Sequence, residues 1–161
     1  MWQRFSERAR RAIFHAQEET QRLNFGFISP EHILLGLLLV PDSTAVKALE
    51  RLGVDLNLLK SRTEFAAGKG KGVAREMTLI PSAKRTIDLA YDAARAMGND
   101  FIGSEHILAA LAGQKGAVTF KILKAAGVEP ASLGRVISEL QLESRVVSGG
   151  SHSQGLGEGE K

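Results

Sequence analysis

Two acid–histidine pairs, Glu31-His32 and Glu105-His106, each followed by Ile-Leu, are the residues of this chain whose types could do chemistry. A carboxylate and an imidazole are the usual partners of general acid–base catalysis. Side chains at i and i+1 diverge around a helix, however, so neither pair forms a working couple by itself. The four histidines, His15, His32, His106 and His152, include no i, i+4 pair and no His-Glu-x-x-His, so a metal site is not expected. There is no Gly-x-Ser-x-Gly elbow. The chain has no cysteine, which excludes a thiolate metal site, a cysteine nucleophile and a disulfide scaffold, and suits a reducing cytosol. The glycine clusters Gly68-Lys69-Gly70-Lys71-Gly72 and Gly113-Gln114-Lys115-Gly116 lack the hydroxyl residue that follows the lysine of a phosphate-binding loop. A catalytic centre is therefore not expected, and no cofactor is implied.

The two pairs occupy the same place in a repeated unit. Sliding the chain by about 74 residues aligns Phe5 to Leu59 with Leu79 to Leu133 without a gap, and about sixteen of these roughly fifty-five positions are identical. The identities include Ala9/Ala83, Ile13/Ile87, Phe27/Phe101, Leu49/Leu123 and Gly53/Gly127, which sample a whole unit. The chain is a tandem duplication.

Helical periodicity places the elements. Phe5, Ala9, Ala12, Ile13, Ala16 and Leu23 make one face of a long amphipathic helix. Ser29-Pro30-Glu31 supplies an N-cap, a first-turn proline and a first-turn acid for a second helix, apolar nearly all round and so expected to be buried. Pro41 stops it. Asp42 or Ser43 caps a third helix that ends at a left-handed Gly53, and Asp55 opens a fourth through Leu56, Leu59 and Phe65. The second copy repeats the order from about Ser82 to Met97, from Ser104, from Val118 to Ala126, and from Pro130 towards Leu142. The expectation is an all-α, pseudo-twofold bundle of two four-helix repeats: residues 1–67, a linker at 68–78, residues 79–147, and a flexible Gly/Ser-rich tail at 148–161.

Residue types alone leave two readings of Glu31 and Glu105. Each acid complements a helix N-terminus, with its histidine partly buried and hydrogen-bonded, or the duplication sets two carboxylates and two sets of unpaired N–H groups on related surfaces. The second arrangement suits a ligand with opposite charges, a guanidinium for the carboxylate and a phosphate for the N–H groups. The longest apolar run, Ile33 to Val40, is too short to span a bilayer, so a soluble, cytoplasmic protein is expected. The net charge of +3 comes from interspersed residues. A small helical nucleic-acid-binding regulator, using Lys69, Lys71 and Arg75, is a distant alternative.

The segments Phe5-Ser6-Glu7-Arg8-Ala9-Arg10-Arg11, Ala16-Gln17-Glu18-Glu19, Glu31-His32-Ile33-Leu34-Leu35-Gly36-Leu37 and Gly103-Ser104-Glu105-His106-Ile107-Leu108 resemble the Clp N-terminal repeat domain. That double motif precedes the ATPase rings of ClpA- and ClpC-type Hsp100 unfoldases, and the likeness covers Phe5 to Leu142, closest to ClpC. The resemblance implies a non-catalytic module that receives protein substrates and adaptor proteins for an ATPase ring, with no nucleic acid or membrane as partner. A free-standing Clp-repeat regulator of a Clp protease is the alternative. It further implies a phosphoarginine-like ligand, its guanidinium at Glu31 and Glu105 and its phosphate near Ser29 and Ser104. Where the family commonly has Gly-Thr before Glu-His, this chain has Ser29-Pro30 and Gly103-Ser104. Pro30 removes a donor, so the first site is expected to be weaker than the Ser104 site.

Overall fold

Side-chain oxygens start every helix of the first half, and the first helix begins two residues further along than apolar periodicity indicates. The structure, a computed structural model, describes residues 2–72 and 78–151, with side chains through residue 146. Helix α1 (Glu7–Arg22) starts where Ser6 accepts the Ala9 N–H. Phe5, expected inside it, instead pairs with Ile102 in a short parallel bridge. Ser29 caps α2 (Pro30–Leu38), Ser43 caps α3 (Thr44–Arg51) and Asp55 caps α4 (Leu56–Ala67). The second half comprises α5 (Pro81–Ala96), α6 (Ser104–Gly113), α7 (Val118–Ala125) and α8 (Pro130–Ser151). A 3-10 turn at Trp2–Arg4 precedes them, and the described residues contain no strand beyond isolated bridges.

Helix α1 lies along α2, and α5 lies along α6. The halves then interlock, because α3 packs on α6 and α8, while α4 packs on α7. The core runs through α2 and α6, where Ile33, Leu34, Leu37, Ile107, Leu108 and Leu111 are all fully buried. This burial accounts for two helices with scarcely a polar face.

Backbone pairing makes the pseudo-twofold relation explicit. Ile28 N–H donates to Thr78 O at 2.7 Å and Ile80 N–H to Ile28 O at 3.1 Å. At the mates of these residues, Ile102 N–H donates to Arg4 O at 2.8 Å and Ser6 N–H to Ile102 O at 2.9 Å. Each half therefore clasps the start of the other half's first helix.

Two expectations need correction. Helix α8 runs past Leu142 to Ser151, four residues into the stretch expected to be tail, and residues 152–161, with His152, lie outside the described residues. The 68–72 part of the linker is tied down, with Gly70 N–H donating to Leu23 O at 2.8 Å and Gly72 N–H to Asn24 O at 2.9 Å. The rest, including Arg75, lies outside the described residues save Thr78. Helix α4 runs through Phe65 as expected, but it buries Leu59 and Thr63, and a residue two positions on points to the opposite side, leaving Phe65 90% exposed.

Candidate functional site

The histidine of each pair, not the acid, reaches back over its helix start. His32 Nδ1 accepts the Ser29 N–H at 3.0 Å, and His106 Nδ1 accepts the Gly103 N–H at 2.8 Å. At Ser29, whose Oγ accepts the His32 N–H, this completes a capping box in which histidine takes the place of the usual Glu or Gln, whereas Gly103 has no side chain and keeps only the bond to the histidine. Both rings are fully buried rather than partly so. Burial pushes the His32 pKa down to about 4 and lowers that of His106 as well. With Nδ1 accepting, the proton sits on Nε2, and His106 donates it to Asn99 Oδ1 at 2.8 Å. Phe25 holds the place of Asn99 in the first half, its ring centroid 4.7 Å from that of His32 and the planes inclined by 63°. His32 Nε2 has no hydrogen-bond partner. These histidines are structural caps, buried and neutral at physiological pH.

The two acids part company, and the residue two places earlier decides how. A Cβ on Gly103 would lie 2.3 Å from Glu105 Oε1, so only glycine lets this carboxylate fold back against the chain. Glu105 is 5% exposed and accepts the Gln141 amide at 2.9 Å. Ser29 stands at the matching position of the first half, and its Cβ denies Glu31 that path. Glu31 is half-buried and lines an open cleft of about 390 Å³.

Four elements form this cleft: the starts of α2, α5 and α7, and the last residue of α4, Ala67. Phe25, Phe27, Pro30, Ile80 and Val118 give it apolar walls, while Ser29, Ser82 and Glu31 are its polar side chains. No side chain caps α5, whose N-cap is Ile80, or α7, whose N-cap is Ala117. The first N–H groups of a helix have no internal acceptor, and the helix dipole is positive there. The cleft thus combines one carboxylate with two uncapped helix starts, a setting for a group carrying both charges.

Of the residues singled out in sequence, Glu31 and Ser29 share the cleft, whereas Ser104 and Glu105 are buried in the other half. Ser104 Oγ accepts the Ala45 N–H of α3 at 3.1 Å. Accessibility therefore runs opposite to the expected order, with the Pro30 half open. Ile80, Ser82 and residues 116–118 were not foreseen as lining residues, since they belong to the other copy. Among the described residues no group of three His, Cys, Asp or Glu side chains could hold a metal ion, and no helix is long and apolar enough to cross a membrane.

Comparison with known proteins agrees with this architecture. The model of the Clp repeat (R) N-terminal domain matches residues 4–126 and 79–159. The chain is 36% identical over 158 residues to chaperone protein ClpC1, chloroplastic, of Arabidopsis thaliana, covering 95% of this chain and 17% of that relative. It therefore spans less than a fifth of the relative's length. The N-terminal domain of ClpD from Arabidopsis thaliana superposes with a TM-score of 0.68 at 23% identity, covering 88% of this chain and 99% of that one. A ClpV N-domain in complex with a VipB peptide gives 0.69 at 17% identity, covering 84% and 88%. A gapless duplication, clasped halves, eight α-helices among the described residues and this match across nearly the whole chain lead to one conclusion: the chain belongs to the Clp repeat N-terminal domain family, a family of binding rather than catalytic domains.

Proposed function

We propose that this chain is the docking domain of a ClpC-like, ATP-dependent unfoldase, receiving protein substrates and adaptor proteins for an ATPase ring, and that its Glu31 cleft takes the side chain of a phosphorylated arginine. Family membership supports the first part. The ClpV N-domain complex gives a precedent for a peptide on this fold. A cysteine-free chain suits the reducing cytoplasm.

One observation carries the second part: Glu31 lines a cleft onto which the uncapped starts of α5 and α7 also open. The carboxylate offers two acceptor oxygens to the guanidinium N–H donors, in the paired geometry that favours arginine over lysine. The helix starts offer N–H donors and positive potential to the phosphoryl group. Phe25 and Phe27 flank the aliphatic stem. No lysine or arginine lines the cleft, so unmodified anions gain little there.

Calorimetric titration tests this reading. Phosphoarginine binds the wild-type chain, arginine and inorganic phosphate bind at least tenfold more weakly, and Glu31→Ala abolishes the heat. Equal binding of phosphoarginine by wild type and Glu31→Ala would refute it.

A further inference from the structure

The mate of the Glu31 cleft, built on α6, α1, α3 and α8, is closed, and every closing contact involves a residue whose first-half counterpart cannot make it. Gln141 Nε2 donates to Glu105 Oε2 at 2.9 Å and to Asn99 Oδ1 at 3.0 Å, where the first half has Ala67, Glu31 and Phe25. Arg8 Nε pairs with Asp42 Oδ2 at 3.0 Å, where the first half has Ser82 and Gly116 on the lip of its cleft. Ser104 Oγ takes the Ala45 N–H where Pro30 offers Thr119 nothing, and Ser43 caps α3 where Ala117 leaves α7 bare. The donors and acceptors that remain free around Glu31 are thus satisfied internally around Glu105.

The Gln141 contact is the most informative. Its amide gives one N–H to the carboxylate and one to Asn99, as the terminal NH2 of a guanidinium would. We infer that this chain carries one open receptor, at Glu31, and one latent receptor, at Glu105, in which the Gln141 carboxamide occupies the place of a ligand's guanidinium. Gln141 sets the stoichiometry, with the Arg8–Asp42 pair latching the entrance and Gly103 allowing Glu105 to stay folded in. The ligand class rests on the reading given for the Glu31 cleft, but the seal itself rests on the second half's own contacts.

The test installs first-half residues in the second half of the whole chain. The triple variant Gln141→Ala, Arg8→Ser, Asp42→Gly is titrated with phosphoarginine, alone and combined with Glu31→Ala. Wild type takes one ligand per chain, the triple variant two, and the quadruple variant one. Two sites in wild type, or no added site in the triple variant, would overturn the inference. If wild type binds nothing and the quadruple variant binds one, the Glu31 reading fails while the latent site stands. If neither binds, both fail.

Should the triple variant not fold, Gly103→Ser provides the alternative, because its Cβ displaces Glu105 without touching Gln141 or the latch. It gains a second site if the inference holds and stays at one if it does not. In the unmodified chain, the side-chain amide protons of Gln141 exchange with solvent at least tenfold more slowly than those of exposed Gln21. Equal exchange would show that no seal exists.

Discussion

Adding a single methyl group at Gly36 tests the packing that holds the first half together. A Cβ there would meet Ala12 O at 2.1 Å and Ala16 N at 2.7 Å, both main-chain atoms in the middle of α1. Main chain cannot yield by changing rotamer, so α2 must retreat. A carbon beside a carbonyl oxygen rests at about 3.3 Å or more, which demands a displacement of about 1.2 Å. A gap of that size forfeits about half or more of each dispersion contact across the interface. Those contacts include Ala9, Ala12, Ile13 and Ala16 of α1, packed against the α2 side chains that form the core. Overpacking of this kind costs about 3 kcal/mol at the upper end of its usual range. Alanine returns about 1 kcal/mol through its better helix propensity. Gly36→Ala should therefore destabilise by about 2 kcal/mol, equivalent to about 4–8 °C in Tm for a chain of this size. The second half supplies the control, since Ala110 at the matching place already carries a Cβ between α5 and α6. Ala110→Gly should cost about 1 kcal/mol from propensity alone. Urea unfolding with the slope held common measures both. A Gly36→Ala chain as stable as wild type would refute the close approach of α1 and α2.

Stability should fall as the solution is acidified below neutrality. His32 is neutral in both states above about pH 6.5, and only the unfolded chain takes up its proton until the pH approaches the folded value of about 4, so stability is full at pH 8 and about 2 kcal/mol of it is lost by pH 5. Urea midpoints at pH 8, 6.5 and 5 measure the loss, and a His32→Gln chain with an equally steep profile would contradict it. Asn99→Ala strands the His106 Nε2 proton and one Gln141 proton. It should cost about 2 kcal/mol in the same assay. An unchanged midpoint would show that the network contributes nothing.

The helical order and the duplication were legible because they leave marks within a few residues or at a fixed offset. Ser29, Ser43 and Asp55 cap as their types require, and Gly53 and Gly127 take the left-handed φ, 79° and 94°, expected of helix stops. Asn24, at φ 63°, ends α1 as Gly98, at 73°, ends α5, a match the offset could have shown despite the different residue types. The site was less legible. Periodicity says which face of a helix is buried but not which element of the other copy covers it, so the Gln141–Glu105 contact left no local sign. Glu31 and Glu105 share a preceding Phe-Ile and a following His-Ile-Leu. Their different fates follow from Ser29 against Gly103 and from Ala67 against Gln141, differences whose meaning emerges only once the halves are placed. The short apolar helices α2 and α6 are buried as their composition requires, yet their histidines go deeper than a polar ring suggests, because each pairs with its own N-cap backbone.

The most direct measurement is an amide correlation spectrum of the 15N-labelled chain titrated with phosphoarginine. The largest shifts are expected at Ser29, Glu31, Ser82 and residues 116–118, with Gly103 to His106 unmoved. Shifts centred on Ser104 to His106, or a spectrum that does not change at all, would contradict it.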